Sequence, residues 1–189
     1  MNGISGSLRA WGEELVDVHL PRWHELPEIE LYMDQVITLV ERYLSPVILK
    51  EKHTLLTSSM VNNYVKLGLI PAPNKKRYNQ KHLAFLIAIT LLKQVLTIPE
   101  IKQGILYQGA VDGIREAYNL FCDEQEAAIA VVIAQALGTE PLAAFERPIS
   151  VEYMAVKGAT LSFATKLFTE KVIELEQKYL EENGEQNNE

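Results

Sequence analysis

Between Leu55 and Ile105 the chain spells out helix starts, stops and faces, and this run constrains the fold more than any other. Thr57 carries the short hydroxyl that satisfies free amides at a helix start. Met60, Val61, Tyr64 and Leu67 follow at helical spacing, so one face is apolar. The opposite face, Ser58, Ser59, Asn62, Asn63 and Lys66, is polar without being acidic. Gly68 stands where a helix stops. Pro71 and Pro73 then force an extended path, and Lys75, Lys76 and Arg77 arrive together at the tip of a turn. Tyr78 follows, and a new helical pattern begins at Gln80. A short amide-faced helix, a basic loop and a packing helix, in that order, predict a winged helix-turn-helix whose loop is a small β-wing.

Charge is distributed to match. The chain is acidic overall, with 18 Lys+Arg against 25 Asp+Glu and a net charge of −7. Residues 1–49 hold 3 basic and 8 acidic side chains, residues 50–82 hold 7 and 1, and residues 83–189 hold 8 and 16. The excess positive charge is therefore confined to one window, the place a phosphate backbone would need it. A solvated run of lysines is the plain alternative; the overlap with the amide-faced helix favours nucleic acid.

At 189 residues the chain can bury a core as one domain or two small ones. Cys122 is the single cysteine, so neither a disulfide framework nor a thiolate metal site is expected. The N-terminus lacks the pattern of a secretory signal, and the greasiest run, Leu83 to Leu92, is too short to span a bilayer. A cytoplasmic protein without membrane contact is the expectation.

In chain order, a first helix is expected from Ser7 to about His19, with Leu8, Trp11, Leu15 and Val18 inward. Pro21 and Pro27 bracket a connector in which Trp23 should anchor on a neighbouring helix. The next helix runs from Leu31 to Leu44, with Val36, Ile37, Val40 and Leu44 spaced for burial and Pro46 ending it. It would be the supporting helix of the helix-turn-helix, joined by the connector VILKEKHTLL. Residues 80–96 predict a strongly apolar helix, and Ile98-Pro99-Glu100 starts another, with Ile101 and Ile105 as its packing edge.

The segment from Leu56 to about Ile105 resembles the MerR-type winged helix-turn-helix. Thr57, Tyr64, Gly68-Leu69-Ile70, Arg77-Tyr78 and Ile101-Lys102 correspond to that family's cap, inner aromatic, corner, wing closure and following helix pair. More closely, LTSSMVNNYVK, KKRYNQKHLAFLIAI and LKQVLTIPEIK, with LPRWHELPEIELYMDQVI before them, are similar to an uncharacterised family of Gram-positive bacterial proteins, a domain of unknown function with this DNA-binding fold. That resemblance covers roughly residues 20–110. Where MerR proteins commonly carry Arg-Tyr-Tyr in the recognition helix, this chain has Asn62-Asn63-Tyr64, so promoter untwisting in that family's manner is not implied.

Asparagine pairs donor and acceptor with the adenine edge, which makes Asn62 or Asn63 the candidate for base readout, against the alternative that both merely solvate a helix face. Ser58 and Ser59 suit phosphate at a helix N-terminus. Lys66, Lys75, Lys76, Arg77 and Lys81 would bind backbone or minor groove, giving register more than sequence. Thr57 as cap and Tyr78 beside the wing complete the candidate DNA-contact set. Tyr64 reads as core, and His53 and His82 flank the basic window.

The C-terminal part predicts a dimerisation or effector module. GAVDGIREAYNLF is amphipathic, Asp123 is placed to cap the next helix, and Ala127 to Leu137 is apolar nearly all round, as a helix buried on every side would be. A long helix from about Val151 to Leu180 carries Leu161, Ala164, Phe168, Val172, Leu175 and Tyr179 at steps of three and four. This stripe would pair with a two-fold mate or cover the chain's own 123–137 helix. The same apolar module could enclose a small hydrophobic effector.

No G-x-S-x-G, phosphate loop, H-E-x-x-H or Cys–His pairing occurs. The carboxylates Glu13/Glu14, Asp123/Glu124/Glu126 and Glu181/Glu182 read as solvated, and His19 and His24 lack an acidic partner at ligand spacing. An enzyme and a bound cofactor are therefore not expected.

The expectation is an all-α protein in four parts: an N-terminal helix and connector (1–30), a MerR-like winged helix-turn-helix (31–107), a helical dimerisation or effector module (108–181) and a disordered tail (182–189). Its expected function is that of a homodimeric, sequence-specific regulator on palindromic double-stranded DNA, with repression the simpler default. The alternative is a non-catalytic adaptor whose basic wing binds an acidic partner.

Overall fold

In a computed structural model, residues 2–48, 55–139 and 150–184 are described. They form seven α-helices: α1 (Asn2–Leu15), α2 (Met33–Leu44), α3 (Ser58–Lys66), α4 (Gln80–Leu92), α5 (Ile98–Val111), α6 (Ile114–Leu137) and α7 (Met154–Gly184). Short 3₁₀ turns at Trp23–Glu25 and Val151–Tyr153 precede α2 and α7. No strand occurs among the described residues.

The helix most completely surrounded is α4. Leu83, Leu86, Ile87, Ile89, Thr90 and Leu91 are all fully buried, as a helix apolar on nearly every side requires. Asn79 caps it, accepting from the His82 amide at 3.4 Å. Around α4 lie α2 on one side and α6 and α7 on another. The core is one continuous cluster from Trp11 and Leu15 through Val36, Val61 and Ile87 to Ile129 and Leu167, so burial does not pause between residues 31–107 and the C-terminal helices.

Four local expectations change. The first helix, α1, lies earlier at both ends than the expected Ser7-to-His19 span, so Val18 falls outside it. α6 is one unbroken helix from Ile114, and Asp123 stands in its middle instead of capping a second helix. Its alanine-rich end is not buried all round: Ala128, Ile129, Val132, Ile133 and Ala136 face inward, while Ala127 and Ala130 are exposed. Alanine is apolar yet is left exposed at little cost, and it favours the helix. α7 reaches Gly184, three residues into the stretch expected to be disordered; residues 185–189 lie outside the described ones.

Close packing of α1 on α6 uses Gly12, where a Cβ would stand 3.2 Å from Ala136 Cβ. Trp11 meets Phe168 of α7 at a centroid distance of 6.3 Å. The apolar stripe of α7 is therefore largely spent within the chain. Ala164 is fully buried, Leu175 is buried, Phe168 lies on Trp11, and Leu161 and Val172 are half-buried. Of the six stripe residues only Tyr179 is exposed. No helix among the described residues is long and apolar enough to cross a membrane.

The Pro-bracketed connector is fastened to α6 by charge. Arg22 donates from Nη1 and Nη2 to the two Glu126 carboxylate oxygens at 2.7 and 2.6 Å, and from Nε to Asp123 Oδ1 at 2.9 Å. The Leu20 amide donates to Glu126 Oε1 at 2.7 Å. His19 lies against both Glu25 (2.9 Å) and Glu126 (3.2 Å), and Glu124 pairs with Lys157 at 2.6 Å. These carboxylates and His19, expected to be solvated and unpaired, instead hold three segments together. Burial pushes the Glu126 carboxyl upward, but hydrogen bonds from Arg22 and Leu20 outweigh it and hold the group below its ordinary value. Trp23 does anchor: its ring meets Tyr118 edge-on at 6.3 Å, and the Tyr118 hydroxyl donates to Pro21 O at 2.7 Å.

Candidate nucleic-acid interface

α3 begins as its sequence requires. Thr57 is extended (φ −130°, ψ 158°) and its Oγ1 accepts from the Met60 amide at 3.2 Å, leaving the helix polar side free to face outward. Val61 and Tyr64 are buried, whereas Ser58, Ser59, Asn62, Asn63 and Lys66 are exposed. Burial pushes the Tyr64 hydroxyl above its ordinary value, consistent with a core role. Leu67, expected on the apolar face, is 45% exposed, because the helix ends there and Gly68 turns left-handed (φ 63°). Leu69 and Ile70 take its place in the core.

Both ends of α3 are fastened by lysines distant in sequence. Lys93, just past α4, donates to Leu55 O at 2.5 Å and lies 3.8 Å from Met60 Sδ. Burial pushes its ammonium below the ordinary lysine value. Lys102 of α5 donates to Leu67 O at 2.7 Å, placing a cation at the negative end of the α3 dipole. The Ile101-Lys102 pair thus has a physical role: Ile101 is 1% exposed and fixes α5, while its neighbour caps α3. Lys93 was missed from sequence, since nothing local marks a lysine whose partner lies 38 residues away.

The wing is the principal correction. No β-strand forms; the loop closes as a single tight turn, with isolated bridges Asn74–Arg77 and Leu31–Tyr78. The Arg77 amide donates to Asn74 O at 2.8 Å, and Lys75 and Lys76 both have positive φ (47° and 63°). That is a type I′ turn made without glycine. It projects two lysine side chains, both exposed, at the cost of left-handed backbone. Pairing does not continue down the loop, because Tyr78 exchanges its backbone hydrogen bonds with Leu31 instead.

Tyr78 leaves the candidate contact set. It is 3% exposed, exchanges both backbone hydrogen bonds with Leu31 at 2.8 Å, and packs edge-on against His82 at 5.3 Å. His82 is itself buried, and burial lowers the pKa of its imidazole. Arg77 is half-buried, its guanidinium 4.1 Å over the Tyr32 ring at the head of α2. Lys81 reaches over Phe85 at 5.8 Å. His53 and the lysines at 50 and 52 lie outside the described residues.

Among the described residues no cluster of His, Cys, Asp and Glu could hold a metal ion. Cys122 is buried on Pro21 O, and burial pushes its thiol up to about 12. No curated protein and no solved structure matches the chain. A family described as "Domain of unknown function (DUF1836)" matches residues 21–121, more than half of the sequence, from the Arg22 connector through α5 and into α6. That description carries no statement about DNA. The chain belongs to this family of unknown function, DUF1836.

Proposed function

We propose that the protein is a sequence-specific regulator of transcription, non-catalytic and cytoplasmic, that binds double-stranded DNA as a homodimer on a palindromic site, with repression as its default sense. In this reading α2 and α3 form a MerR-like helix-turn-helix and the Lys75–Lys76 turn is a wing reduced to its tip. One observation carries it: the side chains of α3 that stand outward are Ser58, Ser59, Asn62, Asn63 and Lys66, a neutral hydrogen-bonding face inside the chain's cationic window. Burial of Val61 and Tyr64 fixes that face. Asn62 and Asn63 read base edges; Ser58, Ser59 and the lysines take phosphate. A dimer follows from the size of the element, since nine residues of recognition helix read only one half-site.

Selection of bound sequences from random duplexes, followed by binding of Asn62→Ala/Asn63→Ala, tests this. Preference for the selected duplex over random DNA should fall by about 1–3 kcal/mol for each base edge no longer read. Unaltered preference removes the readout role. Binding with no salt dependence favours instead an adaptor that uses the wing for an acidic partner.

A further inference from the structure

A cavity of about 590 Å³ lies between α4, α5, α6 and the start of α7, beside the candidate interface and not within the C-terminal helices alone. It is open to solvent on one side, and its volume is that of a small-molecule site. Its wall is formed by Ala88 and Leu92 of α4, Gly104 and Gln108 of α5, Phe121 of α6 and Ala159 of α7. Space is kept open by glycine: a Cβ at Gly104 or Gly158 would meet nothing within 4 Å, although glycine inside a helix is destabilising. Two apolar side chains at its mouth, Tyr107 and Met154, are half exposed to water.

The lining also restricts what can enter. Glu100 is its one charged side chain, and that carboxylate is engaged at the head of α5 by the Thr97 amide and hydroxyl, at 2.8 and 2.7 Å. No cation lines the cavity to receive an anion. Gln108 is 93% buried; its Nε2 donates to Glu152 O at 2.6 Å, while its Oε1 has no hydrogen-bond partner among the described residues. A buried acceptor without a donor is costly and would gain from one.

We infer that this cavity binds an uncharged, mainly apolar small molecule carrying a hydrogen-bond donor that Gln108 accepts. Such a ligand touches the helix that fastens the candidate reading head, because α5 supplies both Gly104 and the Lys102 that holds Leu67 O. Its regulatory meaning rests on the proposed DNA reading; its binding does not.

The test uses the full chain and N-phenyl-1-naphthylamine, an uncharged fluorescent probe with one N–H. It should saturate at one site per chain with a Kd in the micromolar range. The sulfonated relative 8-anilino-1-naphthalenesulfonate should bind at least tenfold more weakly. Gly104→Leu, which fills the space and adds a better helix former, should weaken the neutral probe at least tenfold without lowering the melting temperature. Gln108→Leu should weaken it severalfold while leaving binding of a donor-free apolar probe, Nile red, unchanged. Equal binding by Gly104→Leu overturns the inference. So does probe fluorescence that falls as the chain dimerises with rising concentration, which would mean that a second copy fills the cavity. A measured effect of a selected duplex on probe Kd, or the reverse, reports coupling. Probe binding without any duplex binding leaves this site standing and removes the DNA reading alone.

Discussion

Replacing the two wing lysines by the residues their backbone prefers, Lys75→Asn with Lys76→Gly, separates charge from fold. Both positions have positive φ, which costs an ordinary side chain roughly 1–2 kcal/mol per residue. Asn-Gly is the preferred pair for a type I′ turn, and the entropy of the added glycine offsets part of the gain. The variant should therefore be about 1 kcal/mol more stable, melting roughly 2–4 °C higher for a chain of this size. Each lysine that neutralises a phosphate contributes about 0.9 to the slope of log K against log salt, so the slope should fall by about 1.8. Taking these contacts as neutral near 1 M salt, affinity near 0.15 M should drop on the order of 30-fold. Fluorescence anisotropy with a random 30-base-pair duplex across a salt series, beside thermal unfolding followed by circular dichroism, measures both quantities. An unchanged slope in a folded, more stable variant would refute phosphate contact by the wing. A loss of stability would refute the strained-turn account.

Two further outcomes follow from the packing. Glu126→Gln removes the carboxylate that Arg22 grips, both partners being about four-fifths buried, and should cost about 2–3 kcal/mol at pH 7. Because the Glu126 pKa is held below its ordinary value of about 4.5, its contribution is fully present above that value and is lost as pH falls through the lower folded value; acid titrations of unfolding should show this loss in the parent chain and not in the variant. Cys122, buried and with its thiol pushed up to about 12, should react with a disulfide reagent at pH 8 no faster than the chain opens. Labelling at the rate of a free thiol would contradict its burial.

The outward face of α3 was legible because it depends on near neighbours. A hydroxyl three positions before Met60, apolar residues at helical steps and a glycine at the stop define α3 within a dozen residues, and the outward side is whatever remains. The turn was legible as a turn but not as one without strands, since only closure on Leu31, 47 residues earlier, decides how far pairing extends. Tyr78 was misread for the same reason: beside a basic run it reads as surface, and its partner is remote.

By itself, then, the order of residues determined that the chain is helical, where α3, α4 and α5 start, which side of α3 is wet and where positive charge gathers, because caps, periodicity and net charge act over a few positions. Only the tertiary structure decided what the long-range groups do. Arg22 meets Glu126 across 104 residues, Lys93 just past α4 and Lys102 of α5 reach the ends of α3, and the α7 stripe is consumed by α1 and α6. The cavity beneath α5 belongs to the same class. Its walls come from four helices, and a void is a property of how they meet, which no single segment encodes.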